Sequence, residues 1–191
     1  MKKLKLCFFV VFGIISSTNL YSNNINAHNY NLSSTPPDTI MHPPDSLMGD
    51  FNGDGKKDTI LVNCSECFDE EKPEYCFCVL SFSSKLPSIK ITNTMGSVSL
   101  YNLGDLNNDG SDEIGYIQNW HSMWKEYYVL TLRKGVWVDL VEPFDVFLVY
   151  IMDKGLVPIE KDKKKKGHVI VRSCVMADPE AKIVTKSIKV N

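Results

Sequence analysis

The chain has 191 residues, a formal net charge of −2 and six cysteines. A nearly balanced charge predicts no strongly basic surface, so nucleic acid is not an expected partner. The length suits a single domain that buries its own core without requiring disulfides to fold.

Residues 1–22 have the pattern of a secretory signal peptide. Three lysines precede an apolar run over 6–15, and small polar residues follow it. The run is shorter than the roughly 20 apolar residues that span a bilayer, so no transmembrane anchor is expected after cleavage. Removing residues 1–22 would take away three lysines and no acid, moving the formal charge from −2 to −5. We therefore expect a periplasmic or secreted protein.

The next segment, 23–45, is rich in asparagine and contains two proline pairs, at 36–37 and 43–44. This composition is typical of a flexible tether. The remainder, 46–191, is then expected to form one β-rich domain.

A candidate calcium loop, loop 1, covers residues 50–58. Ca²⁺ prefers hard oxygen ligands, and a short loop can wrap it with ligands at positions 1, 3, 5, 7 and 9 and a glycine at position 6. Gly55 stands at position 6, where the backbone must turn tightly. The predicted ligands are the side chains of Asp50, Asn52, Asp54 and Asp58 and the carbonyl of Lys56.

Four cysteines, Cys64, Cys67, Cys76 and Cys78, bracket an acidic segment and suggest two strands of one hairpin. Cys76 and Cys78 share a strand face, which disfavours a bond between them, so each is expected to pair with Cys64 or Cys67. Either of the two resulting connectivities is open. An oxidising compartment favours disulfides over the alternative, a four-thiolate Zn²⁺ site. Cys174 is left over, as a buried thiol or as a partner for another chain.

A second candidate, loop 2, covers residues 105–113 and repeats the pattern 55 residues later. Gly110 stands at position 6. The predicted ligands are the side chains of Asp105, Asn107, Asp109 and Glu113 and the carbonyl of Ser111.

Two alternatives compete with calcium binding by these loops. An EF-hand needs Glu at position 12 and flanking helices, but Leu61 and Tyr116 stand there and strand-like runs follow. Asp, Asn and Gly clusters also form ordinary turns. Two copies that agree at four ligand positions and at both glycines favour calcium. The residues at position 2, Phe51 and Leu106, are expected to point into a core.

Two later segments have ordinary structural explanations. The aromatic cluster at 120–128 suits a binding surface or core packing about equally. His121 and Ser122 are adjacent and do not form a catalytic pair. The lysine-rich run 160–167 predicts a solvated hairpin tip.

Strand signals recur along the chain and no segment has sustained helical periodicity. The pattern predicts an all-β fold, a compact meander or sandwich. The predicted strands are 58–63, 75–82, 88–92, 114–118, 127–132, 136–141, 145–151, 168–173 and 182–190.

The runs Gly-Asp-Phe-Asn-Gly-Asp-Gly-Lys-Lys-Asp (49–58) and Gly-Asp-Leu-Asn-Asn-Asp-Gly-Ser-Asp-Glu (104–113) resemble the calcium loops of FG-GAP and VCBS repeats. Those repeats occur in integrin-type β-propellers and in bacterial secreted proteins. The resemblance implies a calcium-stabilised scaffold for adhesion or protein recognition, without catalysis. Glu113 departs from the usual Asp. Only two loops are visible, so a compact two-repeat domain is expected rather than a closed propeller.

Two functions follow as hypotheses. The first is an exported calcium-binding module that recognises another protein or a glycan. The second is a periplasmic inhibitor or immunity protein that blocks a cell-wall hydrolase or a toxin. An enzyme is not expected, because the sequence has no nucleophile–base pair, histidine-bearing metal motif or phosphate loop.

Overall fold

A computed structural model describes residues 46–65, 76–178 and 180–190, which belong to the compact unit Pro36–Asn191. The predicted signal peptide, the predicted tether and Cys67 lie outside these ranges. The described residues form twelve strands and one short helix. They are β1 Ser46–Gly49, β2 Asp58–Cys64, β3 Phe77–Phe82, β4 Ile89–Thr92, β5 Val98–Asn102, β6 Ile114–Gln118, β7 Trp124–Arg133, β8 Val136–Asp139, β9 Phe144–Phe147, α1 Leu148–Met152, β10 Ile159–Lys161, β11 His168–Val175 and β12 Lys182–Lys189.

The strands form three antiparallel sheets in which neighbours along the chain are mostly neighbours in space. Sheet 1 has the order β1-β2-β3-β4, sheet 2 has the order β5-β6-β7-β8 with β9 also paired to β7, and sheet 3 has the order β10-β11-β12. Every strand pair is antiparallel, as hairpin connections between short strands require. The predicted all-β fold is confirmed. Among the described residues, no helix is long and apolar enough to cross a bilayer.

Sheet 2 is buried on both faces, because successive side chains of its central strands point to opposite sides. Leu130 belongs to a core shared with sheet 1, whereas its neighbour Val129 belongs to a core shared with sheet 3. The first core also contains Ile60, Leu80, Ile91, Val98 and Ile114, and the second also contains Ile117, Val146, Ile159, Val169 and Val171.

Strand prediction was right in most places and wrong in four. Strands β1, β5 and β10 have three to five residues each and were not predicted. The predicted strand 145–151 is instead strand β9 followed by helix α1, which begins after Phe147. A short apolar run fits either structure, and its surroundings decide between them.

Candidate functional site

The two candidate loops occupy equivalent places in the topology. Loop 1 joins β1 to β2 and loop 2 joins β5 to β6, so each connects the first two strands of a four-strand antiparallel series. Phe51 is fully buried in the core between sheets 1 and 2, and Leu106 is buried in the core between sheets 2 and 3. The prediction that both position-2 side chains enter a core is confirmed.

Position 1 has the same role in both loops. Its carboxylate accepts a hydrogen bond from the amide of the position-6 glycine, from Gly55 to Asp50 at 2.8 Å and from Gly110 to Asp105 at 3.3 Å. A side chain that reaches five residues forward closes the loop on itself. The aspartate at position 1 therefore shapes the backbone as well as supplying charge.

Positions 3 and 5 also repeat. The Oδ1 atom of Asn52 accepts the amide of Asp54 at 2.9 Å, and the Oδ1 atom of Asn107 accepts the amide of Asp109 at 2.8 Å. The aspartate at position 5 accepts the amide of position 7 at 2.8 Å in loop 1 and 2.9 Å in loop 2. These contacts are consecutive Asx turns, in which short polar side chains satisfy backbone donors two residues ahead.

The backbone adopts the left-handed conformation at two positions of each loop. Gly55 and Gly110, at position 6, have φ of 82° and 95°. Position 4 is left-handed too, with φ of 72° at Gly53 and 67° at Asn108. Position 6 was predicted from the sequence, whereas position 4 was not. Gly and Asn tolerate this conformation best, and that preference was the available signal.

The two loops differ at position 9. Asp58 begins β2, is only 5% exposed, and its Oδ2 atom is buried without a hydrogen-bond partner. Burying a carboxylate oxygen without a hydrogen-bond donor costs desolvation free energy that no contact offsets. Such an atom in a native fold calls for a donor or a cation.

Glu113, by contrast, is fully buried and well supplied with donors. The amide of Leu106 donates to Oε2, and Oε1 accepts from Asn107 Nδ2 at 3.0 Å and from Thr131 Oγ1 at 2.9 Å. Burial raises its pKa to about 7, the hydrogen bonds from Leu106 and Thr131 oppose that rise, and nearby Asp109 adds to it. Thr131, on β7, was not identified from the sequence.

Loop 2 also has a protein cation beside it. Lys161, at the end of β10, donates to Asn108 Oδ1 at 2.8 Å, and its Nζ atom lies 4.0 Å from Asp105 Oδ2. Sheet 3 thus brings a positive charge to the position-1 carboxylate of loop 2. Lys161 belongs to the predicted hairpin run 160–167, and its contact with loop 2 is not predicted from the sequence.

The loops touch each other. The amide of Asp112 donates to the Asp50 carbonyl at 2.7 Å, and the amide of Asp50 donates to Asp112 Oδ2 at 3.0 Å. Asn102 joins the junction through Nδ2, which lies 3.0 Å from Asp112 Oδ2 and 3.0 Å from the Met48 carbonyl. Asp112 is not among the predicted ligands, and its place at position 8 is explained by this junction.

The polar groups of loop 1 are all oxygen donors, the ligand type that Ca²⁺ prefers. Within the described ranges, no group of three or more His, Cys, Asp or Glu side chains converges closely enough to hold a metal ion. Asp50 and Asp54 instead accept backbone amides, and each carboxylate oxygen keeps further lone-pair capacity. Asn52, the Lys56 carbonyl and the unpartnered Asp58 oxygen complete a set of ligands that are all oxygen atoms. These atoms would have to move closer to one another to coordinate one ion.

The cysteine prediction is confirmed where the structure describes it. Cys64 on β2 and Cys78 on β3 are directly opposed and form a disulfide. Cys76 is also disulfide-bonded, and Cys67 lies outside the described residues. The Cys64–Cys78 bond uses two of the four sulfurs that a zinc site would need. Cys174 is a buried free thiol, the first of its two expected alternatives.

Two segments remain, the aromatic cluster at 120–128 and the lysine-rich run 160–167. Tyr127 is a core residue, whereas Trp120 and Trp124 line an open cleft on sheet 2. The lysine-rich run joins β10 to β11, which pair as a hairpin, and its lysines 163–166 are exposed, as predicted.

The chain matches no protein-family model, and no curated protein or solved structure is significantly similar to it.

Proposed function

We propose that this chain is an exported, calcium-stabilised β module that binds another protein or a glycan and has no catalytic activity. Loop 1 is the principal calcium site in this proposal, and loop 2 is a weaker second site. The N-terminal pattern and the cysteine usage support export to a periplasmic or extracellular environment. The resemblance to FG-GAP and VCBS loops supports a recognition role.

One observation carries the proposal: the buried, unpartnered Oδ2 atom of Asp58 at the closing position of loop 1. A carboxylate buried in this state destabilises the fold unless a cation compensates it. The loop around it supplies only oxygen ligands, and its three carboxylates repel one another without a metal. A divalent ion would offset both costs.

Calcium would act on more than one loop, because Asp50 belongs both to the predicted ligand set and to the junction with loop 2. Its backbone amide and carbonyl both bond to Asp112. Holding the Asp50 side chain at an ion would therefore also hold this junction, which links sheet 1 to sheet 2. The proposed role of calcium is to order the surface that the two sheets present.

The test is thermal unfolding of the chain from residue 46 onward, in excess calcium and with chelator, for the parent and for Asp58→Asn. At calcium about 100 times the dissociation constant, binding stabilises the native state by about 2.7 kcal/mol, which is roughly 5–10 °C in Tm. Asp58→Asn keeps the shape and removes the charge, so we expect it to lose most of the calcium-dependent shift and to keep only the smaller contribution of loop 2.

Asp153→Asn is the matched control, because Asp153 is exposed at the end of α1 and lies outside both loops. It should keep the full calcium shift. Equal melting temperatures in calcium and chelator for the parent protein would show that loop 1 is an ordinary turn.

A further inference from the structure

Strand β12 is the longest of the strands that form the edges of the three sheets. It has eight residues and pairs with β11, and among the described residues no strand pairs with its other side. The other edge strands, β1, β4, β5, β8, β9 and β10, have three to five residues each. Many proteins keep edge strands short, because their unpaired backbone groups can pair with another chain. Strand β12 does not have this protection.

The hydrogen bonds show which backbone groups of β12 are unpaired. The amide of Val190, just after the strand, donates to the Gly167 carbonyl at 2.9 Å and therefore points toward β11. Backbone groups alternate in direction along a strand, so the even-numbered residues bond to β11 and the odd-numbered residues point away from it. We call the amides and carbonyls of these odd-numbered residues the open edge; the residues are Ile183, Thr185, Ser187 and Lys189. No described residue bonds to these backbone groups.

Every charged side chain on β12 is a lysine. Lys182 and Lys186 lie on one face of the strand and Lys189 lies on the other, because side chains alternate between faces. All three are exposed, and none forms an ion pair with a described residue. The open edge therefore has positive charge on both sides of it.

The tip of the β10–β11 hairpin adds positive charge beside the same strand. Lysines 163–166 are exposed, and none forms an ion pair with a described residue. Asp162 holds the tip in place, because its Oδ2 atom accepts the Ser187 hydroxyl at 2.7 Å and its Oδ1 atom accepts the Lys164 amide at 2.9 Å. Lysines 163–165 line one open depression together with Thr185 and Ser187. The lysines of the tip thus extend the positive region of β12.

This positive region contrasts with the rest of the chain. Residues 159–191 contain nine lysines and arginines and four acids, a formal charge of +5, whereas residues 23–158 contain nine and nineteen, a formal charge of −10. A region of one sign on a protein of the other sign attracts partners of complementary charge. It also disfavours pairing of β12 with the β12 strand of a second copy, because lysines would face lysines.

We propose that the open edge of β12 pairs with an extended acidic segment of a partner protein, which adds a fourth strand to sheet 3. This inference rests on the proposed recognition function and names the surface and the kind of partner. The added strand would bond to the open edge, and its acidic side chains would lie beside the lysines on both faces. An extended peptide matches both the backbone groups and the charge. A flat anionic membrane would contact the lysines of one face only.

The test uses purified ¹⁵N-labelled protein and a fluorescent eight-residue peptide in which Glu alternates with Val or Thr. The peptide should bind with a dissociation constant of about 10–100 μM at low salt and more weakly at high salt. At saturation, hydrogen exchange of the four open-edge amides should slow by about tenfold or more, because each gains an acceptor. The amides of Val184 and Lys186 already bond to β11 and should change little.

Two matched pairs of variants make the result specific. Thr185→Pro removes one open-edge amide and no bond to β11, a position where an edge strand tolerates proline, and should weaken binding by about tenfold or more. Thr185→Val keeps that amide and should bind like the parent. Lys186→Gln should weaken binding by about two- to fivefold at low salt, whereas Lys85→Gln, at an exposed position between β3 and β4, should not.

Several outcomes would overturn the proposal. One is no peptide binding, or binding that leaves the open-edge amides unprotected. Another is equal binding of the same peptide N-methylated at two successive central amides, or binding of phosphatidylglycerol vesicles without binding of the peptide, which would assign the surface to charge alone. Protection of the open-edge amides without peptide at raised protein concentration would assign the edge to a second copy. If Thr185→Pro does not fold, the exchange pattern and the N-methylated peptide decide.

The calcium-dependent melting shift is measured on the same protein and separates this inference from the calcium site. Absence of that shift with peptide pairing intact would reject the calcium site and leave the open edge as a binding surface. A normal calcium shift without peptide pairing would reject the inference about β12 and leave the calcium site.

Discussion

Loop 1 and loop 2 have nearly the same sequence and backbone but different closures. In loop 1 the closing Asp58 is buried with an oxygen that has no partner, whereas in loop 2 the closing Glu113 accepts three hydrogen bonds. Loop 2 also has Lys161 at its first carboxylate. The two loops share a motif but differ in how their closing carboxylates are compensated. The difference arises because residues from other strands contact loop 2. A ligand pattern describes a loop's donors, and the neighbours decide how many remain for a metal.

The largest expected effect concerns what the loops have in common, the side chain at position 2. Phe51→Ala removes a fully buried ring and should cost about 3–5 kcal/mol of unfolding free energy. Leu106→Ala, in the other core, should cost about 2–5 kcal/mol. Urea unfolding with chelator present measures both. A cost below about 1 kcal/mol for either would mean that its loop is not anchored in the core.

The next effect separates the loops. Asp54→Ala removes a predicted ligand from loop 1 and should abolish most of the calcium stabilisation, about 2.7 kcal/mol at a hundredfold excess over the dissociation constant. Asp109→Ala makes the same change in loop 2 and should leave most of it. Calorimetric titration of both variants would count the sites and rank them. Equal losses would contradict the ranking of loop 1 above loop 2.

A pH effect on stability is expected from Glu113 in loop 2. The pKa of Glu113 rises in the fold from 4.5 to about 7 through burial, so the folded protein binds this proton more tightly than the unfolded chain. Its favourable contribution is complete below pH 4.5 and is lost as the pH rises to about 7, an effect of roughly 1–3 kcal/mol. Chemical unfolding across that range with chelator should show the decline. Glu113→Gln should flatten the slope, and an unchanged slope would assign it to another group.

The smallest expected effect concerns Lys161, the lysine beside loop 2. Lys161→Gln removes the positive charge beside Asp105 and keeps a donor for Asn108. Lys161 is partly exposed, so its electrostatic effect is limited to about 1 kcal/mol, or roughly fivefold in calcium affinity of loop 2 at low salt. Lys163→Gln, in the exposed hairpin tip, is the matched control. No gain in affinity for Lys161→Gln would mean that this lysine does not compete with the ion.

Sequence reasoning was strongest where one short segment determines its own structure. The tight turns at the position-6 glycines and the inward direction of Phe51 and Leu106 were predicted from residues within ten positions of one another. The sequence limited the partner of Cys78 to Cys64 or Cys67, and the register of β2 and β3 decides for Cys64. The left-handed Asn108 was missed, since Asn is compatible with several turn conformations.

Secondary structure was predicted less well for short segments and for apolar runs that fit either a strand or a helix. Strand β10 has only three residues, and its identity depends on pairing with β11. The run that becomes β9 and α1 is apolar throughout, so periodicity could not divide it. In both places the neighbouring strand or the core decided the outcome.

Local sequence is enough to predict the all-β class, the turn conformation of each loop and the residues that supply its oxygen atoms, because these depend on backbone preference and on side chains a few positions apart. The packing of the sheets decides that Asp58 has an oxygen without a donor, that Thr131 and Lys161 contact loop 2, that Asp112 joins the two loops, and that Lys125 is buried with its ammonium on the Trp120 carbonyl. These contacts join residues separated by up to dozens of positions. Their energies come from burial and from charges brought together by sheet packing, which no local pattern encodes.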